Sequence, residues 1–236
     1  MHWFFLIFNK YIGRTSARGR TSVRNNMYFH IYNRCIEGRD LFLDDYDFER
    51  FRQGLYYFNS VDHFVFRENY FLLGKDWEIK CQSDGKRLVS VLSYILLPNH
   101  FHLYVYTENP GNLTNFIRKQ MTGYTMYFNT KYSHEDRIFA SKTKVKIIDS
   151  DGYYYHMPNY IHLNALDLLN KDWRLGLSKW NNCKSFLEDY KWSSLFHYLG
   201  MKKDPILDNE WIKQYLQDCS GKYMNELRKW AQREIV

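Results

Sequence analysis

Hydrophobic and polar positions alternate most clearly from Met27 onward. Tyr28, His30 and Tyr32 interleave with Phe29, Ile31 and Asn33, a period of two that predicts a strand, and Glu37-Gly38-Arg39-Asp40 breaks it with turn residues. Asp44 or Asp45 can cap a helix running to about Asn59, with Phe48, Phe51, Leu55 and Phe58 at helical spacing. Residues 64–73 and 77–82 have strand-like composition. The unbroken apolar run from Val89 to Leu97 predicts a buried strand, and His100 to Tyr106 its partner through a Pro98-Asn99 turn. A helix is predicted over about Leu113–Thr130, with Phe116, Met121, Tyr124 and Phe128 on its apolar face. Next comes a polar, basic connector tied down by Phe139 and Ile147-Ile148. A helix over about 152–170 is expected to be interrupted, or started late, by Pro158. The remainder, with Trp192-Ser193-Ser194, Trp211 and a last amphipathic run from Tyr223 to Arg233, predicts a helical extension.

Within this frame, Pro98-Asn99-His100-Phe101-His102-Leu103 is the candidate centre. In a strand His100 and His102 project to one face while Phe101 and Leu103 project to the other. Two histidines in a strand are by themselves ordinary polar residues. Their apolar neighbours argue otherwise, because imidazoles beside a buried strand need a polar purpose. Two such rings make half of a metal site.

Charge and ring content change the picture further. The 236 residues carry a formal charge of +7, with 21 Tyr, 17 Phe and 7 Trp, so an anionic partner is favoured, and single-stranded nucleic acid uses both cations and stacking surfaces. Most of those rings should nonetheless fill the core. Cys35, Cys81, Cys183 and Cys219 are far apart with no Cys-x-x-Cys pair, which predicts free thiols in a reducing cytoplasm. The apolar opening, Trp3 to Phe8, is too short to span a bilayer. Residues 1–26 otherwise mix Lys10, Arg14, Arg18, Arg20 and Arg24 with Gly, Ser, Thr and Asn, a composition expected to be disordered. They are either a basic arm touching phosphates or sequence upstream of a start at Met27. The domain is expected over 27–200, with 201–236 as the C-terminal helical extension.

After Pro158, Tyr160 and Asn164 are four residues apart and share one helix face, while His162 points elsewhere. Together the blocks Phe29-His30-Ile31-Tyr32-Asn33-Arg34, Gly38-Arg39-Asp40-Leu41-Phe42, Asp47-Phe48-Glu49-Arg50-Phe51, Leu97-Pro98-Asn99-His100-Phe101-His102-Leu103, Tyr160-Ile161-His162-Leu163-Asn164 and Tyr190-Lys191-Trp192-Ser193-Ser194 stand in an order that resembles the REP-associated tyrosine transposases. These are insertion-sequence-200-like members of the single-tyrosine HUH nucleases, and the resemblance spans roughly residues 27–200.

The resemblance implies an α+β, ferredoxin-like antiparallel sheet with helices on one face, the His-x-His on a central strand and the tyrosine on a helix facing it. It implies His100, His102 and Asn164 as ligands of Mg²⁺ or Mn²⁺ and Tyr160 as nucleophile, cleaving and rejoining single-stranded DNA beside a hairpin through a 5′-phosphotyrosine. Arg34, Arg118, Lys119, Lys142, Lys144 and Lys146 are the candidate phosphate contacts. His162 and the three connector lysines are the candidates for taking the phenol proton. No membrane partner is expected, and the working unit is a monomer or a homodimer. The chain departs from the family pattern at Asn164-Ala165, where Asn-Pro is usual, at Phe139, where a Trp is common, and in a longer 60–87 segment. Another HUH nuclease (a replication initiator or relaxase) and a domesticated DNA-binding protein without cleavage are the alternatives. A histidine-triad hydrolase would want a third alternating His where Tyr104 stands.

Overall fold

The computed structural model describes residues 27–61, 85–169, 173, 180–219 and 222–232; the N-terminal extension and the strand-like runs at 64–73 and 77–82 lie outside them. Strand β1 (Tyr28–Arg34), helix α1 (Asp45–Tyr57), strands β2 (Ser90–Leu97) and β3 (His100–Tyr106), helix α2 (Pro110–Tyr132) and strand β4 (Lys144–Ile148) follow in order. The sheet is antiparallel with strand order β2-β3-β1-β4. This is the expected ferredoxin-like α+β arrangement. The basic connector proves to contain the fourth strand. Lys144, Val145, Lys146 and Ile147 alternate, but β4 is short, lies at the sheet edge and leaves Val145 and Ile147 exposed, so its pattern lacks the apolar weight of a core strand.

The two crossover helices pack on one face. Phe51 of α1 meets Phe101 of β3 and Tyr124 of α2, with ring centroids 4.9 and 5.1 Å apart. Asp44 caps α1 and forms a capping box with Asp47. The buried Asp47 carboxylate also accepts from Tyr127 Oη, Tyr132 Oη and Lys131 Nζ at 2.7–2.8 Å, joining the start of α1 to the end of α2. Where the helices approach, Gly54 and Gly123 leave the space that Gln120 and Phe58 fill: a Cβ on Gly123 would collide with the Phe58 ring.

The opposite face is covered by helix α3 (Asp151–Leu163), capped by Ser150. It begins seven residues before Pro158 and runs through it, ending at Leu163 in a 3-10 turn over Asn164–Leu168. The predicted break at Pro158 is therefore absent. Met157, Ile161 and Leu163, on either side of the proline, are buried, and that burial outweighs the hydrogen bond a proline removes.

Beyond α3 come α4 (Trp180–Asp189), the single turn α5 (Leu195–Tyr198), α6 (Asn209–Asp218) and α7 (Tyr223–Ala231). The intervening chain pairs with the outer edge of β2: Leu96 N–H donates to Trp192, Ser194 N–H to Tyr94 and Asp208 N–H to Val91. A buried ion pair locks this arrangement. Arg52 of α1 donates to Asp204 at 3.2 Å and to Tyr94 Oη at 2.9 Å, and Tyr94 Oη donates to the same Asp204 oxygen at 2.5 Å. Fully buried His162 bonds Tyr223 Oη at 2.8 Å and Ser194 Oγ at 2.7 Å, fixing α7 against α3.

Asp204→Ala would take one of two carboxylates from Arg52, which keeps Glu49 at 3.1 Å, and would leave Tyr94 Oη without its acceptor, so it should lower unfolding free energy by about 1–3 kcal/mol in denaturant titrations. Burial pushes the His162 imidazole down to about 3, below its unfolded value near 6.5. A group depressed in this way stabilises the fold fully above pH 6.5 and progressively less as pH falls from there toward 3. Urea midpoints should therefore drop across that window, with a slope of about 1.4 kcal/mol per pH unit from this group, and His162→Gln should flatten the drop.

Candidate active site

Strand β3 runs between β2 and β1, and its alternation divides the site from the core. Phe101, Leu103 and Val105 are buried toward α1 and α2, while His100, His102 and Tyr104 lie on the face that α3 covers. The turn that delivers His100 is fixed from outside. Pro98 C=O accepts from Leu41 N–H (2.6 Å) and Phe42 N–H (3.0 Å), and Asn99 C=O accepts from Cys35 N–H (2.8 Å). The loop that makes these contacts turns at Glu37 and Gly38, both left-handed with φ +55° and +72°, a conformation glycine adopts without strain.

Tyr160 meets the imidazoles. Its ring stands edge-on to His102, centroids 5.8 Å apart at 88°, and edge-on to His30 at the same separation and 84°. His100 and His102 lie 5.2 Å apart, ring edge to ring face. Asn164 caps α3 one turn beyond Tyr160. Its Nδ2 donates to the Tyr160 carbonyl at 2.7 Å, so the amide is held in one orientation with Oδ1 as its acceptor atom, and the residue is 1% exposed.

Sequence reasoning assigned no role to His30 or Tyr32, yet both stand in the same ring cluster. The register pairs Tyr32 with His102 and Arg34 with His100. Tyr32 stacks on His30 (4.8 Å) and on His102 (5.7 Å), and His30 Nε2 lies 2.8 Å from His102 Nδ1. The signal was available as the alternation Tyr28, His30, Tyr32, but nothing in it said that β1 would lie beside β3. Burial, with Lys146 adding to it, pushes the His30 imidazole down to about 3, which leaves it neutral near pH 7.

On the other side of β1 the register sets Tyr32 opposite Lys144 and His30 opposite Lys146. Arg34, Lys144 and Lys146 are thus on the histidine face. Asn33 Nδ2 donates to Ser141 C=O (3.0 Å) and Thr143 Oγ1 (3.3 Å), which brings the segment holding exposed Lys142 past the same end of β1 as Arg34. Arg118 and Lys119 are on α2, across the sheet, and Lys119 Nζ donates to Ser60 C=O at 2.9 Å.

No family model and no curated protein matches this chain. Among solved structures, one described as the "REP associates tyrosine transposase bound to a REP hairpin" is similar to it over 81% of this chain and 90% of that one, at 15% identity and a TM-score of 0.46.

His162, a candidate acceptor for the phenol proton, is excluded by its place. Both its ring nitrogens are engaged by Tyr223 and Ser194, and it is fully buried. A group that moves a proton in a reaction needs access to the reacting atoms. Among the described residues no three His, Cys, Asp or Glu side chains form a metal-holding group, so a cation at the histidine pair requires an amide or water oxygen as well. His100 suits that purpose in its hydrogen bonding. His100 Nδ1 lies 2.6 Å from Asn99 Oδ1, which can only accept, so Nδ1 carries the hydrogen and the ring's lone pair is on Nε2. Among the described residues no helix is long and apolar enough to cross a membrane.

Proposed function

We propose that this protein is a metal-dependent nuclease and transposase acting on single-stranded DNA, with Tyr160 as the nucleophile. The observation that carries the reading is the meeting of the Tyr160 ring with His102 and His30 on one face of the sheet. The motif order that resembles the REP-associated tyrosine transposases supports it independently. His100, His102 and Asn164 are the residues that would hold a divalent cation, Mg²⁺ or Mn²⁺. Once bound there, it supplies charge neutralisation at a non-bridging phosphate oxygen.

The rest of the chemistry belongs to the chain. Tyr160 Oη attacks phosphorus in line, the P–O3′ bond breaks, and a 5′-phosphotyrosine and a 3′-hydroxyl result. The 3′-hydroxyl can return along the same line to rejoin strands, because the phosphotyrosine retains the energy of the broken bond. A phenol at neutral pH holds its proton, so the step needs an acceptor for it. Docking of Tyr160 on rigid elements keeps its orientation fixed, with α3 below it and the β1–β3 ring stack beside it.

Arg34, Lys142, Lys144 and Lys146 form a cationic strip beside the rings, suited to the backbone of an unpaired strand, with Tyr32 as a stacking surface. Hairpin-flanked DNA is the substrate form the family resemblance favours. α2, with Arg118, faces away from this strip.

Incubating the protein with labelled hairpin-flanked single-stranded DNA and Mn²⁺ should give a denaturant-stable adduct, reduced at least about a thousandfold in Tyr160→Phe, since phenylalanine offers no oxygen for the bond. An adduct that survives in Tyr160→Phe removes the assignment, and tight hairpin binding with no adduct under any divalent cation identifies a binding protein instead. In salt titrations of DNA affinity, Lys144→Ala with Lys146→Ala should reduce the slope of log K against log salt by about 1.4, roughly 0.7 for each phosphate contact. Arg118→Ala should leave the slope unchanged.

A further inference from the structure

We infer that His30 is a positioning residue: it accepts the Nδ1 hydrogen of His102 and thereby commits His102 to the tautomer whose Nε2 lone pair can hold a cation. The inference rests on the cation site proposed above and adds to it a residue outside the His-x-His pair.

The contact between His30 Nε2 and His102 Nδ1, at 2.8 Å, can form only if one nitrogen carries the hydrogen and the other accepts it. Geometry fixes which atoms meet, and the chemistry of a ligand fixes the direction. A histidine that gives its Nε2 lone pair to a cation must be protonated on Nδ1, so His102 donates and His30 accepts. His100 is already in the equivalent state through Asn99 Oδ1. Both histidines of the pair therefore have an acceptor at Nδ1, one supplied by the turn and one by the neighbouring strand.

Three features of His30 suit it to this role. It is 3% exposed, so water does not compete for its Nε2. Its plane is nearly parallel to that of His102, at 14°, and Tyr32 stacks on both, which fixes the two ring orientations together. It also lies on β1, paired through the whole length of β3, so the contact cannot slide without breaking the strand register. The arrangement has one cost. His30 Nδ1 is buried without a hydrogen-bond partner, and in the cation-bound tautomer that atom bears a hydrogen. A residue kept at such a cost is better explained by the ring it faces than by packing, which an apolar side chain would serve with no stranded atom.

The test is Mn²⁺ binding to the full chain without DNA, followed by the electron paramagnetic resonance signal of free Mn²⁺, for the unmodified protein, His30→Phe, His30→Gln and His102→Ala. Phenylalanine keeps the stack and removes the acceptor, whereas glutamine restores an acceptor oxygen near the position of Nε2. The expected result is loss of binding in His102→Ala, about 10–100-fold weaker binding in His30→Phe, and recovery to within roughly threefold in His30→Gln. Undiminished binding in His30→Phe alongside loss in His102→Ala overturns the role of His30 and leaves the cation site standing. Undiminished binding in His102→Ala overturns the site itself, and this inference with it. If His30→Phe does not fold, imidazole ¹H–¹⁵N spectra of the unmodified protein at saturating Mg²⁺ decide the matter: a hydrogen on His102 Nδ1 supports the inference, and one on Nε2 overturns it.

Discussion

The hydrogen-bond ladder that holds β3 between β1 and β2 is the constraint on which the molecule depends. Its register decides, residue by residue, which side chains of His100–Tyr106 enter the core and which face α3. A slip of one residue would drive both imidazoles into the Phe51–Tyr124 ring cluster and turn Phe101 and Leu103 toward α3. The register is secured at the turn, where Pro98 and Asn99 carbonyls accept from Leu41, Phe42 and Cys35, and along both edges of the strand. A histidine on an interior strand, paired on both sides, moves only if the sheet moves.

The two faces of this sheet solve different problems. Toward α1 and α2 the packing is apolar and aromatic, and its polar groups serve to join helix ends, as Asp47 does with Lys131, Tyr127 and Tyr132. Toward α3 polar rings are buried among the apolar side chains, and each ring nitrogen that loses water needs a protein partner. His162 finds two, Tyr223 and Ser194. It thereby becomes a strut between α3 and the C-terminal helices, which is why its closeness in sequence to Tyr160 carries no catalytic meaning. His30 finds one partner, and that partner belongs to the proposed site.

The sheet edges are treated unequally as well. The outer edge of β2 is paired by Trp192, Ser194 and Asp208, so the C-terminal extension completes the sheet and the Arg52–Asp204 pair holds it there. β4 carries Lys144 and Lys146 on the site face at the other edge. Lysines at a sheet edge discourage pairing with another strand, and here the same charges border the ring cluster of the proposed site.

Much of this was legible in the chain itself. Period-two alternation at 28–33 and 100–106, helical spacing in α1 and α2, and the face shared by Tyr160 and Asn164 all follow from local geometry, which neighbouring residues determine among themselves. The His-x-His pair could be found for the same reason. What the sequence could not say was who stands next to whom. That β1 lies against β3, bringing His30 to His102 and Tyr32 to both, is a consequence of a pairing across 72 residues. The strand hidden in the basic connector, the helix that runs through Pro158, and the fate of His162 were likewise decided by long-range burial, because a short edge strand, a proline and a single histidine each carry weak local preferences that packing overrules.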